Sequence, residues 1–378
     1  MRLLHTSDWH VGRTFHGRDL LAEQEQVLGG LADLVTTERV DVVVVAGDLY
    51  DRAVPNAEAV QTCARVLTRI RAAGAEIVIT PGNHDSAARI GVFGAFAAAG
   101  GLHLRTRIGE LDEPVLLADA HGPVALYGIP FLEPEPARQA LGVPEARGHA
   151  GVLTEAMRRV RADLAERAGT RSVVLAHAFV SGGASSDSER TIAVGGVQDV
   201  ATDVFDGVDY VALGHLHGPQ VLSERLRYSG SPMAYSFSEA RQEKSVWLVD
   251  LDAGGLVGVE QRVLPVPRRL ATLTGELEDL LLDPAHDGVL DSFLSVVLTD
   301  RVRPLDALRR LRTRFPHAVH VEWQPVGGRD AVVRFAVRGK DDHDIACCFV
   351  DEARGAEPNP REQALLREAF AAAAREAL

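Results

Sequence analysis

Cysteine is scarce in this sequence of 378 residues. Only three cysteines occur, and two of them, Cys347 and Cys348, are adjacent. No spacing typical of a disulfide framework or a cysteine-ligated zinc site is present, so we expect a reducing compartment. We interpret the adjacent pair as two small apolar side chains rather than as a redox switch.

Long apolar runs and an excess of positive charge are also missing. No run approaches the roughly 18 residues of a membrane helix, and the N-terminus lacks the apolar core of a signal peptide. We therefore expect a cytoplasmic protein without membrane attachment. The formal net charge of −13 argues against a general electrostatic grip on nucleic acid, although bound metal ions would reverse the field locally.

The order of apolar runs and amphipathic segments predicts an α/β fold over residues 1–266. Runs such as "VDVVVVAGD" are typical of strands buried on both faces, and helical segments separate the first of them. From Val208 onward helices become rare and strands follow one another. Two sheets flanked by helices are the predicted architecture.

A smaller α+β domain with a linker is predicted over residues 267–343. Pro265 and Pro267 mark its boundary, and "SFLSVVLTD", "RPLDALRRLRTRF" and "AVHVEWQ" indicate strand, helix and strand. Pro304 suits the first turn of that helix. The stretch "GKDDHD" at the end of the linker is predicted to be a solvated loop.

The last segment, residues 344–378, ends in a predicted helix. Asn359 suits the cap, Pro360 the first helical position, and Glu362 would complete a capping box. One stripe of this helix carries Leu365, Leu366, Ala369, Phe370 and Ala373. The residues alone leave open whether the stripe packs on its own domain or docks on a partner.

Five short polar segments stand at the predicted carboxyl ends of strands, where ligands gather in α/β sheets. They are "SDWH", "GDLYDR", "GNHD", "LAHA" and "LGHLHG". Each is a weak signal alone, because a histidine after an apolar strand is usually a core residue and a "GD" pair is usually a turn. The candidate metal ligands that they supply together are Asp8, His10, Asp48, Asn83, His177, His215 and His217.

The donor chemistry of these residues predicts a site for two metal ions. Carboxylate, amide and imidazole groups together suit manganese, iron or zinc better than calcium or magnesium. In extended chain, residues i and i+2 point the same way, so Asp8 and His10 are expected to face one ion together. The set is too large for one ion and fits two ions that share the carboxylate of Asp48. Two ions about 3.5–4 Å apart suit in-line displacement at phosphorus.

The other polar residues of these segments are assigned supporting roles. His84 follows the ligand Asn83, so its side chain is expected to face the substrate and protonate the departing oxygen. Asp51 is predicted to orient His84 and keep it protonated. Asp85 is predicted to support the site from behind the ligands.

Arginines near the metal segments are candidates for substrate phosphate contacts. We assign this role to Arg13 and Arg52, with Arg18 and Arg89 as further candidates. A solvated surface arginine is the alternative in each case.

The five segments resemble the motifs D-x-H, G-D-x-x-D, G-N-H-D/E, H and G-H-x-H of the calcineurin-like metallophosphoesterase superfamily. The resemblance implies a two-sheet sandwich flanked by helices and a di-metal phosphoesterase site. One ion would be held by Asp8, His10, Asp48 and His217. The other would be held by Asp48, Asn83, His177 and His215. Asp48 would bridge the ions, and His84 would be the general acid.

Longer stretches, among them "SERTIAVGGVQDV", "YSGSPMAYSFSE" and the C-terminal segment, resemble the SbcD-type nuclease subunits of that superfamily. This resemblance covers nearly the whole chain. It implies a manganese-dependent exonuclease acting 3′ to 5′ on duplex DNA and an endonuclease acting on hairpins and blocked ends, in DNA repair, replication and recombination. It also implies a homodimer that joins an SbcC-type coiled-coil ATPase in a heterotetramer, with the C-terminal helix docking on that partner.

Two other functions compete with this interpretation. The metal motifs alone also fit a phosphatase or cyclic-nucleotide phosphodiesterase on the same scaffold. A non-catalytic scaffold or DNA-end-binding protein is the third possibility. It predicts that ligands or the general acid are missing, whereas the full set is present.

Overall fold

The computed structural model describes residues 1–189, 200–325 and 340–376. Their contacts divide the chain into two compact units, Met1–Pro267 and Arg268–Leu378. Most of the predicted stretch "SERTIAVGGVQDV" lies outside the described residues, as does the linker over residues 326–339. Among the helices that are described, none combines the length and the apolar character needed to cross a membrane.

The first unit contains two six-stranded sheets and a short hairpin. Its described strands are β1 (Arg2–Thr6), β2 (Thr14–Phe15), β3 (Arg18–Asp19), β4 (Val42–Ala46), β5 (Glu76–Thr80), β6 (Leu102–Leu104), β7 (Val115–Asp119), β8 (Gly122–Ile129), β9 (Arg171–His177), β10 (Tyr210–Gly214), β11 (Gln220–Val221), β12 (Leu226–Tyr228), β13 (Ser245–Asp252) and β14 (Gly255–Val263). Its α-helices are α1 (Leu21–Glu38), α2 (Ala57–Ala72), α3 (Ala87–Ile90), α4 (Gly94–Ala99), α5 (Pro134–Leu141) and α6 (Gly148–Ala165). Short 3-10 helices lie at Gly91–Phe93, Ile108–Glu110, Thr202–Phe205 and Phe237–Glu239.

Each sheet combines four parallel strands with two strands that pair antiparallel, both at one edge of the first sheet and one at each edge of the second. The first has the order β14-β13-β1-β4-β5-β6, in which β1, β4, β5 and β6 run parallel. The second has the order β11-β12-β10-β9-β8-β7, in which β12, β10, β9 and β8 run parallel. The carboxyl ends of the central strands of each sheet therefore lie along one edge.

Burial on both faces explains the continuous apolar runs of the central strands. Every residue of β4 and β9 is buried. The two sheets share one apolar layer, in which Val44 and Val78 of the first sheet join Leu126 and Leu175 of the second. Apolar side chains of α5 and α6 cover the other face of the second sheet. The predicted two-sheet α/β architecture with flanking helices is confirmed.

The second unit contains a three-stranded parallel sheet in the order β15-β16-β17. Its elements are β15 (Leu270–Gly275), α7 (Leu277–Leu282), a 3-10 helix (Pro284–Val289), β16 (Phe293–Leu298), α8 (Ala307–Arg314), β17 (Ala318–Trp323), α9 (Asp342–Arg354) and α10 (Pro360–Glu376). Leu294 and Val296 of the sheet pack with Leu311 and Phe315 in a separate core. The predicted strand, helix and strand are present as β16, α8 and β17. A further strand, β15, pairs with β16.

Two local predictions in this unit are wrong. Pro304 does not lie in the first turn of a helix, because Asp306 has a φ of 52° and α8 begins only after it. A residue in the left-handed region cannot belong to a right-handed helix. The end of "GKDDHD" is helical rather than a loop, since the Asp341 carboxylate caps α9 by accepting a hydrogen bond from the Asp344 N–H at 2.7 Å.

The predicted capping box of the last helix is confirmed. Asn359 Oδ1 accepts hydrogen bonds from the N–H groups of Arg361 and Glu362, both at 3.0 Å. Glu362 Oε2 accepts one from the Asn359 N–H at 2.8 Å. On the predicted apolar stripe of α10, Leu365 and Phe370 are exposed.

Candidate metal centre

The predicted site residues follow strands from both sheets. Asp8 and His10 follow β1, Asp48 follows β4 and Asn83 follows β5. On the second sheet, His177 ends β9, and His215 and His217 follow β10. Because these strands end at one edge, the structure brings the residues of five separate segments to one place.

Glycines directly before three of these residues allow the close approach of the loops. A Cβ atom at Gly47 would overlap the ring of His177, and one at Gly82 would overlap the carboxylate of Asp48. A Cβ atom at Gly214 would overlap the carbonyl oxygen of Ala46, on the facing sheet. The glycines of the "GD", "GN" and "GH" pairs are therefore required by packing at the site.

Four site residues adopt backbone conformations that side chains rarely adopt. The φ angles are 52° for Asp8, 45° for His10, 49° for Asp48 and 104° for His215. Asp8 and His10 do converge as expected, because their ligand atoms lie within 4.8 Å of each other. The expected reason is wrong, since β1 ends at Thr6 and the two residues lie in a turn and not in extended chain. Such conformations cost about 1–2 kcal/mol per residue and collect at functional sites.

One group of ligand atoms combines two residues that follow the first sheet with one that follows the second. Ligand atoms of Asp8, His10 and His217 lie within 4.8 Å of one another, and all three residues are buried. The Nε2 atoms of His10 and His217 are 3.1 Å apart. Two imidazole nitrogens and a carboxylate that converge in this way fit a divalent cation.

A second group contains Asp8, Asp48 and His177, again within 4.8 Å. His177 Nε2 lies 2.9 Å from Asn83 Oδ1 and 3.5 Å from Asp48 Oδ2. The same Asp48 oxygen lies 3.6 Å from His10 Nε2 in the first group. Asp48 Oδ2 therefore lies within 3.6 Å of a histidine nitrogen from each group, which fits a carboxylate shared by two ions. Asp8 belongs to both groups as well.

His215 is placed differently from the five histidine and aspartate candidates of the two groups. Its ring centroid lies 5.2 Å from that of His177, whereas its ligand atoms belong to none of the three-residue groups found among the described residues. Its backbone N–H donates to both carboxylate oxygens of Asp8 at 3.1 Å. His215 thus fixes Asp8 through its backbone, and its imidazole borders the second group.

Burial and mutual charge shift the pKa values of the ligands in opposite directions. Burial would raise the pKa of Asp48, but nearby His177, His10 and His84 hold it well below its usual value. Burial would lower the pKa of His177, yet Asp48 and Asp8 raise it to about 9. Without metal, Asp48 and His177 therefore form a buried ion pair, which bound cations would replace.

The pKa values of three other ligands are shifted mainly by burial. Burial raises the pKa of Asp8 to about 6 and lowers that of His215 to about 3. It also holds the pKa of His10 well below its usual value. The imidazoles of His10 and His215 are therefore neutral at pH 7, which is the form that binds metal.

His84 is oriented by the backbone of Asp51 rather than by its carboxylate. His84 Nδ1 lies 2.8 Å from the Asp51 carbonyl oxygen, and its Nε2 lies 4.0 Å from Asp48 Oδ2. A carbonyl only accepts, so Nδ1 carries a hydrogen and Nε2 is directed toward the ligands. The Asp51 carboxylate instead lies 3.7 Å from His10 Nδ1 and 3.7 Å from Arg13 Nη1.

Asp85 ties together the loops that follow β4 and β5. Its carboxylate accepts hydrogen bonds from the N–H groups of Leu49 and Tyr50 at 2.9 Å and of Gly82 at 3.0 Å. Burial and the charge of Asp48 nevertheless raise the pKa of Asp85 to about 7. Its position behind the ligands matches the supporting role that we predicted from the sequence.

Arg13 and Arg52, which we assigned to contacts with substrate phosphate, differ in environment. Arg13 Nη2 donates to the Ser188 carbonyl oxygen at 3.0 Å, and its guanidinium lies 5.0 Å from the centroid of the Tyr235 ring. Arg13 is thus held beside the metal ligands. The side chain of Arg52 is 76% exposed, which leaves it open to solvent or substrate.

Several buried residues that support the ligands were not assigned from the sequence. Gln24 Nε2 donates to the His10 carbonyl oxygen at 2.8 Å, and its Oε1 accepts from the Gly12 N–H at 3.0 Å. Tyr235 donates to the carbonyl oxygen of Trp9 at 2.5 Å. The available signal for Gln24 was its spacing in the sequence, three and four residues before Val27 and Leu28, which places a polar residue on the apolar stripe of α1.

The calcineurin-like phosphoesterase family matches residues 1–219, which is more than half of the chain. The chain belongs to that family. With its clustered aspartates and histidines, it is a metallophosphoesterase whose ligands suit two divalent ions.

Similar solved structures include TT1561 of Thermus thermophilus, with 13% identity over 69% of this chain and 98% of that one and a TM-score of 0.42. GAP50, the anchor in the inner membrane complex of Plasmodium, is 12% identical over 88% and 99%, with a TM-score of 0.39. A dimetal phosphatase from Danio rerio is 14% identical over 70% and 99%, with a TM-score of 0.40. These TM-scores are low, so the family assignment rests on the family match.

Proposed function

We propose that this protein is an SbcD-type nuclease that hydrolyses DNA phosphodiesters. It would act as a 3′ to 5′ exonuclease on duplex ends and as an endonuclease on hairpins and blocked ends, in DNA repair, replication and recombination in the cytoplasm. The observation that carries the proposal is the second compact unit, Arg268–Leu378, with its two C-terminal helices. Hydrolysis of a small phosphoester has no evident need for this unit.

The metal site supports phosphodiester hydrolysis as the reaction. Bound divalent ions would supply Lewis-acid stabilisation of charge that develops on the phosphate, and the mixed oxygen and nitrogen donors favour manganese. His84, fixed through Nδ1, presents Nε2 toward this place and would protonate the departing 3′-oxygen. Arg13 is near enough to the ligands to contact a phosphate oxygen.

The partner of this nuclease is proposed to be an SbcC-type coiled-coil ATPase. α10 exposes Leu365 and Phe370, which gives the helix an apolar stripe of the kind that docks in a groove. A homodimer is the other proposed contact, which would make the assembly a heterotetramer. The proposed dimer surface is the exposed apolar patch of Val92, Phe93 and Phe96 in the stretch from α3 to α4, where Phe96 is 82% exposed.

A phosphatase or cyclic-nucleotide phosphodiesterase would use the same metal ligands. The functions are therefore distinguished by which substrate the protein hydrolyses. The test is digestion of a linear DNA duplex by the purified chain with manganese, beside a panel of phosphomonoesters and cyclic nucleotides. Nucleotide release from DNA ends, abolished in Asp48→Asn, is the expected result. Turnover of the small phosphoesters without DNA digestion, even when the ATPase partner and ATP are added, would overturn the nuclease proposal.

The docking of α10 can be tested separately. Leu365→Asp with Phe370→Asp should abolish co-purification with the ATPase and leave DNA digestion by the isolated chain unchanged. Arg367→Asp, on the same helix, is the matched control for added negative charge. Loss of co-purification in the control as well would exclude the apolar stripe as the cause.

A further inference from the structure

A chain of buried polar groups lies behind His217. Ser188 Oγ is 2.5 Å from His217 Nδ1 and 2.5 Å from Glu239 Oε1. Glu239 Oε2 is in turn 2.5 Å from Lys244 Nζ. All four residues are buried, and Glu239 has no exposed surface. These contacts form a hydrogen-bonded relay that runs from the candidate metal ligand His217 through Ser188 to the ion pair of Glu239 and Lys244.

The direction of these hydrogen bonds fixes the tautomer of His217. Glu239 Oε2 lies 2.5 Å from Lys244 Nζ, and the same ammonium group donates to the His217 carbonyl oxygen and to Ser231 Oγ, so Glu239 is the anionic partner of a buried ion pair. Glu239 is therefore a carboxylate that only accepts, so Ser188 donates its single hydrogen to it. The same hydroxyl must then accept from His217, which places the imidazole hydrogen on Nδ1.

The Nδ1–H tautomer leaves the lone pair of His217 on Nε2. That atom lies 3.1 Å from His10 Nε2, in the group that also contains Asp8. A histidine that binds a metal through one ring nitrogen needs its hydrogen on the other, held by a fixed acceptor. The relay provides this arrangement.

Lys244 also holds the backbone of His217. Its Nζ donates to the His217 carbonyl oxygen at 2.9 Å and to Ser231 Oγ at 3.1 Å. On the other side, the His217 N–H donates to Glu189 Oε1 at 2.8 Å. The ring and the carbonyl of His217 are thus fixed by the buried cluster, and its N–H is fixed by the half-buried Glu189.

We propose that Glu239 and Lys244 are positioning residues that act through Ser188 to set the ring orientation and tautomer of His217. They would thereby control one of the two metal positions. A buried ion pair contributes little to stability on average, because desolvation offsets its attraction. The contacts of this pair converge instead on one imidazole.

The proposal concerns only the metal position that contains His217. The histidine of the other metal position, His177, is held by different groups. His177 Nδ1 lies 3.1 Å from the Ala46 carbonyl oxygen, and its Nε2 lies near Asn83. The described hydrogen bonds of the Glu239 cluster reach His217 and not His177. Disturbing the relay should therefore weaken one ion and spare the other.

The test is manganese binding to the full chain, by calorimetry and electron paramagnetic resonance. In Ser188→Ala, we expect one of the two ions to bind at least about tenfold more weakly and the other to be unchanged. Ser188→Thr keeps the hydroxyl and should restore binding. Ser172→Ala is the control, since Ser172 is also a buried serine that contacts a carboxylate, that of Asp209, at 3.2 Å.

A readout independent of metal checks the tautomer itself. In the metal-free chain with ¹⁵N-labelled histidine, the His217 signal should have the Nδ1–H pattern, assigned by its absence in His217→Asn. The double variant Glu239→Gln, Lys244→Met should mix the tautomers without leaving an unpaired buried charge. An Nε2–H pattern in the unmodified chain would overturn the proposal even if the variants did not fold.

The outcomes separate this inference from the proposed function, on which it rests by treating His217 as a metal ligand. Failure of the unmodified chain to bind two ions would contradict the di-metal function. Two ions bound by Ser188→Ala with unchanged affinity would contradict the relay alone. Equal loss of both ions in Ser188→Ala, with normal binding by Ser172→Ala, would contradict its restriction to one position.

Discussion

The Nδ1 atom of His84 lies 2.8 Å from the backbone carbonyl oxygen of Asp51. Because the contact uses the backbone, the ring orientation of His84 depends on the loop after β4 and not on the carboxylate of Asp51. That loop is itself tied by Asp85 to the segment that carries His84. His84, the proposed general acid, and Asp48, the proposed bridging ligand, are thus fixed by one pair of connected loops.

His84→Ala should bind two metal ions and lose most of its turnover. Removal of a general acid lowers the rate by about 10²–10⁴. The measurement is the rate of DNA digestion together with metal stoichiometry. His121→Ala, at an exposed position of the same unit, should behave like the unmodified chain. Loss of one ion in His84→Ala would make His84 a ligand, since it also lies in a group with His10 and Asp48.

Gly47→Ala should impair the metal site more than its backbone strain explains. Gly47 has a φ of 88°, and an added Cβ would overlap the ring of His177. Gly17 is a matched control, with a φ of 79° and open space around the added atom. We expect Gly17→Ala to cost about 1–2 kcal/mol in stability and to keep both ions. Gly47→Ala should cost more and lose affinity at the His177 position, so equal behaviour of the two variants in denaturation and metal titration would refute the steric argument.

Metal binding should release a proton from His177. Its folded pKa is raised to about 9, so the charged form contributes stability that is present below the unfolded pKa and is lost as pH rises through 9. A metal ligand must be neutral, so metal displaces this proton at pH 7. We expect affinity to rise about tenfold per pH unit between pH 7 and about 8.5. Calorimetry in two buffers of different ionisation enthalpy measures the release, and a flat pH profile would rule it out.

Phe96→Glu should convert the proposed homodimer to a monomer while leaving metal binding intact. A carboxylate in the centre of an apolar contact is costly because it loses its water. Sedimentation velocity measures the change. Leu116→Glu alters another exposed apolar residue of the same unit and should leave the dimer unchanged. A monomer in the unmodified chain, or a dimer in the variant, would contradict this interface.

The central strands of both sheets were predictable from the sequence, whereas the short strands at the sheet edges were not. β4 and β9 are buried on both faces, so their apolar runs are unmistakable. Short edge elements such as β7 and β11 bury only part of their residues and have no such run. Likewise, the start of α8 depends on the left-handed conformation of Asp306, which no local pattern indicates.

The candidate ligands were predictable because each follows a strand in a short motif. The conformation that joins them was not, since Asp8 and His10 reach the site through left-handed turns rather than extended chain. The groups behind the ligands were hidden for another reason. Ser188, His217 and Glu239 lie in three separate segments between strands, and only the folded arrangement of those segments brings them together.

The glycine before His215 has a consequence for how this enzyme can change over time. Because any side chain at Gly214 would overlap the carbonyl oxygen of Ala46, no larger residue fits there unless the facing strands move apart. Such a movement would displace the candidate ligands that follow both strands. A new substrate preference would therefore have to be reached through the loops around the edge and not through this glycine.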